Sequence, residues 1–253
     1  KATVARLVTE LELAELIEAR EIDPTEGPGR RSTGLGVPSS AGHVLGFSLG
    51  LHSSHVVALD LSGRTVGTKL EQTPTFTSAE QATAWVNSLI AGLGGSLNGC
   101  GSPLRLCIAL PGRVRDGVPI SVLPEPLATV SDDALATGLA ARLGIEVMLE
   151  TDAYMALAGV TSLGYLDPSE AAVLFTLSTA LTVSTRTRLG LVQARTSAFG
   201  DFAALPVTVA EAGCESEGDT VPMGSLLSVR GITEYAVSRG IALERTSELW
   251  LGE

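Results

Sequence analysis

Asp152 stands where one kind of periodicity hands over to another. Ile145 to Leu149 reads as a buried strand, and Asp152 to Leu163 reads as a helix. The carboxyl in Glu150-Thr151-Asp152 therefore sits at a strand–helix join. A carboxylate there can take a proton from a substrate hydroxyl. It suits equally well a cap for the first turn of the helix that follows, and the residue types leave both roles open. The other candidates are thinner. Cys100, Cys107 and Cys214 are the three cysteines, with no CxxC spacing. An odd, scattered set predicts neither a disulfide framework nor a complete zinc site, and points to a reducing compartment, the cytoplasm. His52 and His55 read as turn or surface histidines. Arg30 and Arg31 are adjacent in the Gly/Pro-rich loop Asp23 to Thr33.

Elements that can hold these residues are legible along the chain. Lys1 to Leu16 has Val4, Leu7, Val8 and Leu11 at helical spacing; Leu16 to Glu21 suits a strand, and Leu35 to Val37 a returning one. Pro38 to Gly42 reads as a linker. Val44 to Leu49, His55 to Asp60 and Thr65 to Leu70 are three successive strands, with Gly50 to Ser54 as the first turn. Ser78 caps a helix running to Leu93. Leu104 to Leu110 is a buried strand ending at Pro111-Gly112, and Val118 to Leu123 a short one closed by Pro124-Glu125-Pro126. Asp132 to Leu143, with Ser131 as cap, is a helix. The second half starts again with strands at Ala171 to Leu177, Leu181 to Thr187 and Leu189 to Ala194, and a helix from Ser225 to Arg239. This β-β-β-α-β-α-β-α order, begun a second time, predicts two α/β lobes. Hydrophobic residues make up 45% of the 253, ample for such cores, and no apolar run is long enough to span a membrane. A net charge of −11 excludes a broadly basic nucleic-acid binder but not a small basic reading head.

Four stretches together resemble the ROK family of repressors, uncharacterised reading frames and sugar kinases. They are "LGFSLG" with "ALDLSGRTV", "IALPGRVRDGV", "GLAARLGIEVMLETDAYMALAG", and the run from Val173 to Val207 around "SAFGDFAALPV". The N-terminal part resembles the second half of that family's winged helix-turn-helix, through Thr3-Val4, Arg6-Leu7-Val8, Glu10-Leu11, Leu16-Ile17 and the loop Gly29-Arg30-Arg31. Residues 1–45 hold five basic and seven acidic residues, so net charge lends DNA binding no support.

The resemblance implies an α/β, actin-like (ribonuclease H-like) two-lobed body preceded by a partial winged helix-turn-helix. The expected division is 1–40 for the DNA-binding part, 41–163 for the first lobe and 164–253 for the second. It also implies that both ends of the module are incomplete, since the chain opens inside a helix without Met and the second lobe calls for more strands and a long helix. In the family the "END" motif supplies the sugar-site base, which falls on Glu150, Thr151 and Asp152; the Asn is Thr151 here. Pro111, Gly112, Glu125 and Asp201 fall at the remaining sugar-pocket positions. Carboxylates fork onto vicinal hydroxyls, so Asp152, Asp201 and Glu125 suit a polyol, or else are solvated loop acids. Lys1, Thr3, Arg6, Arg30 and Arg31 fall at DNA-reading positions.

The phosphate machinery departs from the family. Its first-turn Asp is Ser48, and its Gly-Gly-Thr is Gly50-Leu51-His52. The glycines of its second loop fall on Ser178, Ala180, Thr182 and Ser184, in a run, Ser178 to Thr185, that suits continuous strand. The structural zinc site keeps Cys214 alone and has Ala204 at its His position, so no metal or other cofactor is expected. The resemblance thus implies a cytoplasmic regulator without kinase activity, a homodimer or dimer of dimers with operator DNA and a small carbohydrate effector as partners. The alternative is an ATP-dependent kinase of a hexose or amino sugar with Asp152 as base.

Overall fold

Strict alternation builds the first sheet. In the strand His43–Leu49 (β3), Leu45, Phe47 and Leu49 are buried and Ser48 is exposed. The same alternation buries Val56 and Ala58 in Ser53–Asp60 (β4) and Leu106, Ile108 and Leu110 in Pro103–Leu110 (β6). One face of a pleated sheet thereby becomes continuous hydrocarbon. The computed structural model describes residues 2–21, 33–120, 123, 126–130, 132–167, 169–177, 181–192, 205–209 and 219–240. It divides into two compact units, Lys1–Glu150 and Thr151–Glu253.

The first unit opens with a helix, Ala2–Leu13 (α1), and the antiparallel pair Glu18–Glu21 (β1) and Thr33–Gly36 (β2). The helix stops short of Leu16 because Glu15 turns left-handed at φ 56°, and Leu16 N–H bonds back to Leu11 O at 3.0 Å. Thr65–Gln72 (β5) and Glu146–Thr151 (β9) complete a five-stranded sheet of order β5-β4-β3-β6-β9, with β3 antiparallel to β4 and parallel to β6. The first turn is tighter than expected: Ser53 and Ser54 belong to β4, leaving Gly50 to His52 between the strands. Two helices, Ala79–Ala91 (α2) and Ala134–Leu143 (α3), bury Ala82, Val86, Leu89, Leu135 and Leu139 in the same core as the sheet. Trp85 meets Phe47 edge-on at 6.1 Å. Gly138 brings the helices close, since a Cβ there would lie 3.0 Å from Thr83 Oγ1. Each buried Leu or Phe of such a core is worth about 1.5–3 kcal/mol. Ser78 caps α2 as expected, accepting from Gln81 N–H. Ser131 lies outside the described residues, and Asp132 Oδ1 takes the Ala134 N–H at 3.0 Å.

Between β6 and α3 the expected strand Val118 to Leu123 is two residues long. Val118–Pro119 (β8) pairs with Val114–Arg115 (β7), and Asp116 and Gly117, both at positive φ, form the two-residue turn between them.

The second unit begins with Asp152–Ser162 (α4). Ala172–Leu177 (β10), Leu181–Thr187 (β11) and Gly190–Val192 (β12) form an antiparallel three-stranded sheet that packs on α4. The continuous strand expected over Ser178 to Thr185 is strand from Leu181 onward; 178–180 lie outside the described residues. Pro206–Val209 (β13) and Asp219–Pro222 (β14) form a hairpin pair. The single helix expected over Ser225 to Arg239 is two, Met223–Leu226 (α5) and Val229–Ser238 (α6). Ser228 breaks it by capping α6, its side chain accepting from Gly231 N–H at 3.0 Å.

Candidate functional site

The strand–helix join is as the sequence indicates. β9 ends at Thr151, which has extended backbone and serves as N-cap of α4 without a side-chain cap bond. Asp152 is thus the first helical residue, not the cap. One oxygen, Oδ1, accepts the next residue's N–H, Ala153, at 2.6 Å, and Oδ2 has no partner among the described residues. The carboxyl is half-buried, and burial pushes its pKa above the usual carboxylate value, against the pull of the Ala153 N–H. Ala153 is held at its other end too: its carbonyl accepts the Ser184 hydroxyl of β11 at 2.7 Å. Ser184 is a residue that sequence reasoning considered only as a lost glycine.

Pro111 and Gly112 end β6, where Gly112 N–H turns back onto Leu110 O at 2.9 Å. β9 lies beside β6 in the sheet, with α3 between them in the chain. Glu150 and Thr151, which end β9, are both half-buried. Glu125 and Asp201 lie outside the described residues. Among the proposed DNA-reading residues, Thr3 and Arg6 are exposed on α1, with Arg6 Nε 3.5 Å from Glu10 Oε1. Lys1, Arg30 and Arg31 lie outside the described residues.

No protein-family model and no curated protein sequence matches this chain. Solved structures do. A ROK-family transcriptional regulator, a homologue of the Escherichia coli Mlc protein, superposes over 100% of the chain with a TM-score of 0.69 at 16% identity. The fold is the ROK fold. A ROK glucokinase from Streptomyces griseus, solved with glucose and AMPPNP, matches 79% of the chain with a TM-score of 0.62 at 21% identity. A ROK hexokinase from Thermus thermophilus matches 83% with a TM-score of 0.59 at 18% identity. The chain spans 64% of the regulator's length and 61% of the glucokinase's. Regulators and kinases thus share its mixed α/β, actin-like architecture.

Within this ROK fold, the turn between β3 and β4 is occupied by its own residues. Leu51 packs against the apolar core of the first unit, Ser48 pairs with His55 inside the ladder, and His52 is exposed. Gly50 is pressed against the turn, since a Cβ would lie 2.3 Å from Ser53 O. Thr73 reaches across, with its hydroxyl on Gly50 O at 2.7 Å and its N–H on His52 O at 2.9 Å. His55 Nε2 is engaged by Thr68 Oγ1.

Of the positions aligned with the second loop, Thr182 and Ser184 belong to β11. Thr182 Oγ1 is buried without a hydrogen-bond partner among the described residues. Burial first, then the Glu150 carboxylate, push the Cys107 thiol up, away from the reactive thiolate. Cys214 and Ala204 lie outside the described residues, among which no three His, Cys, Asp or Glu side chains gather at metal-binding range. No described helix is long and apolar enough to cross a membrane.

Proposed function

We propose that this chain is a ROK-type transcriptional regulator. It binds operator DNA through α1 and the β1–β2 pair as a homodimer or dimer of dimers. It senses a sugar or sugar derivative at Asp152 and transfers no phosphoryl group. The observation that carries this reading is the N-terminal helix followed by an antiparallel strand pair. The regulator matches the whole chain, N-terminal elements included, whereas the two kinases match 79% and 83% of it. A helix in the major groove beside a two-stranded wing is a known reading geometry, and paired half-sites demand two such heads at fixed spacing. Effector binding changes that spacing by favouring one conformation over another. The absence of phosphoryl transfer is supported by the first turn: Leu51 is committed to the core and Ser48 offers no carboxylate for a metal–nucleotide.

Selection of bound duplexes from a random DNA pool, followed by affinity measurement with and without sugars, tests the reading. Recovery of a palindromic site whose affinity responds to a sugar is the expected result. No enrichment over the input pool would sink it.

One observation favours a second reading. The half-buried, up-shifted Asp152 carboxyl is what a general base requires. ATP-dependent phosphorylation of a hexose or amino sugar, abolished by Asp152→Asn, would establish a sugar kinase instead. Melting curves over a sugar panel, with and without ATP-Mg, separate the two, because a ligand of the folded state raises Tm.

A further inference from the structure

We propose that Ser184 is a positioning residue for Asp152. Its hydroxyl holds the Ala153 carbonyl so that the first turn of α4 presents the Asp152 carboxyl in one orientation and reports its occupancy to the β10–β11–β12 sheet. The inference rests on the reading of Asp152 as the carboxylate that meets the effector.

The geometry is a short relay. Asp152 Oδ1 accepts Ala153 N–H at 2.6 Å, and the Ala153 carbonyl accepts Ser184 Oγ at 2.7 Å. The two peptide groups flanking the Ala153 Cα are therefore both held by side chains, one from α4 and one from β11. Ala153 is fully buried and Ser184 is 7% exposed, so water does not compete for the second bond. Thr151 supplies no side-chain cap bond to α4, so the Ser184 hydroxyl is a tether on this helix start that comes from another element. Ser184 also pairs with Leu174 inside the β10–β11 ladder, so its Cα cannot shift without moving the sheet. A ligand that draws on the Asp152 carboxyl pulls on the first turn of α4, and the Ser184 hydroxyl bonds that turn to β11.

The titratable groups on these packed elements are few. They are Asp152 and Tyr154 on α4 and Arg186 on β11. The Arg186 guanidinium is spent elsewhere, donating to the carbonyls of Asp167 and Glu170. The Asp152 carboxyl is governed by burial and by the Ala153 N–H, and both follow from how α4 starts.

The test is an NMR titration of the Asp152 carboxyl in the whole chain, wild type against Ser184→Ala, Ser184→Cys and Ser184→Thr. In Ser184→Ala the first turn of α4 loosens and water reaches the carboxyl, so its midpoint falls toward the usual value. Threonine keeps the hydroxyl and restores the wild-type midpoint. Cysteine keeps the size with a weaker donor and lies between; should the alanine variant not fold, the cysteine–threonine pair decides. A lowered Tm with an unmoved midpoint overturns the proposal and leaves Ser184 as a simple helix tether. A midpoint that moves in alanine and stays moved in threonine also overturns it, because packing and not the hydrogen bond is then responsible. The titration needs no ligand. A chain that binds no sugar refutes the sensing reading without touching this result, and the two failures are distinct.

Discussion

Thr73 donates its hydroxyl to the Gly50 carbonyl at 2.7 Å. A hydroxyl has one proton, so in the neighbouring contact Ser54 Oγ is the donor to Thr73 Oγ1, at 2.8 Å. The first residue after β5 thus locks the turn between β3 and β4 through a two-bond chain. Thr73→Val keeps the shape and removes both bonds, leaving Gly50 O and Ser54 Oγ without these partners. The expected loss is about 1–2 kcal/mol of stability in urea melts. An unchanged midpoint would mean that water replaces the hydroxyl and that the Leu51 packing and the Thr73 N–H bond to His52 O hold the turn without it.

Asp60 shows the same economy at the next turn. Its side chain is 1% exposed and accepts Ser62 N–H at 2.9 Å, Arg64 N–H at 3.0 Å and Ser39 Oγ at 3.1 Å, with Arg64 Nε at 3.3 Å. The Ser62 hydroxyl most of all, with the backbone N–H groups of Arg64 and Ser62 and the Ser39 hydroxyl, outweighs burial and holds the carboxyl far below its ordinary value of 3.8. A depressed folded-state pKa means that the unfolded chain binds the proton first as pH falls. The stabilisation is therefore complete above about pH 4 and drains away below it. Asp60→Asn should cost about 1.5–3 kcal/mol at neutral pH. The gap between wild type and variant should narrow steadily in urea melts taken from about pH 4 downward. A gap independent of pH would show that the charge is not what the turn uses.

Asp152 runs the opposite way. Burial raises its pKa, so the folded chain holds the proton longer than the unfolded one. Ionising it in the fold costs stability, which falls as pH rises from the unfolded value of 3.8 through the raised folded value. Asp152→Asn removes that cost. Its Tm at neutral pH should exceed that of wild type, and the advantage should vanish below about pH 4, where both states of the wild type take up the proton. The same variant should lose any sugar-induced rise in Tm, the exchange of stability for function expected of a site residue. A variant less stable than wild type at neutral pH would show that the carboxylate's bond to the Ala153 N–H stabilises the start of α4 by more than burial costs it.

These cases mark what could be read beforehand. β3, β6 and β9 were legible because each is a short apolar run whose signal needs nothing beyond the strand itself, and the join at Asp152 followed from them. The turn Asp116-Gly117 carried its own signal, an Asp-Gly pair between Val114 and Val118, and the hairpin it makes went unread because each strand is only two residues long. The environment of Asp152 was not legible at all. It depends on burial that only folding creates, and its neighbour Ala153 is held by Ser184, 31 residues further along the chain. Glu125 and Asp201 remain proposals, as do Arg30 and Arg31.

The α5–α6 break gives a sharper test of local reasoning. Helical spacing of apolar residues runs through Leu226, Val229 and Ile232, yet the chain turns at Leu227-Ser228. Gly231 shows why: a Cβ there would sit 1.7 Å from Ser225 O, so α6 starts hard against the end of α5 and only glycine permits it. Gly231→Ala should cost about 2 kcal/mol or more, since backbone must move. Hydrogen exchange over residues 223–238 should quicken in the variant while that of β3 and β6 stays unchanged. Equal quickening everywhere would mean that the variant weakens the whole chain and that the effect is not local to this corner.

Arg6 carries the DNA prediction. Its side chain is 73% exposed, and its ion pair with Glu10, one turn along α1, is 3.5 Å long with Glu10 itself 58% exposed. Such a pair is screened by solvent and contributes under about 0.5 kcal/mol. Arg6→Ala should therefore leave Tm unchanged, so any loss of DNA affinity belongs to the contact and not to the fold. If Arg6 meets a phosphate, affinity falls alike on all sequences, and the slope of log affinity against log salt drops by about 0.9. If it meets a base edge, the loss is about 1–3 kcal/mol and confined to sequences carrying that base. Both outcomes keep α1 as the reading helix. Unchanged affinity and unchanged salt slope, on a duplex the wild-type chain binds, would remove α1 from the groove and the winged-helix reading with it.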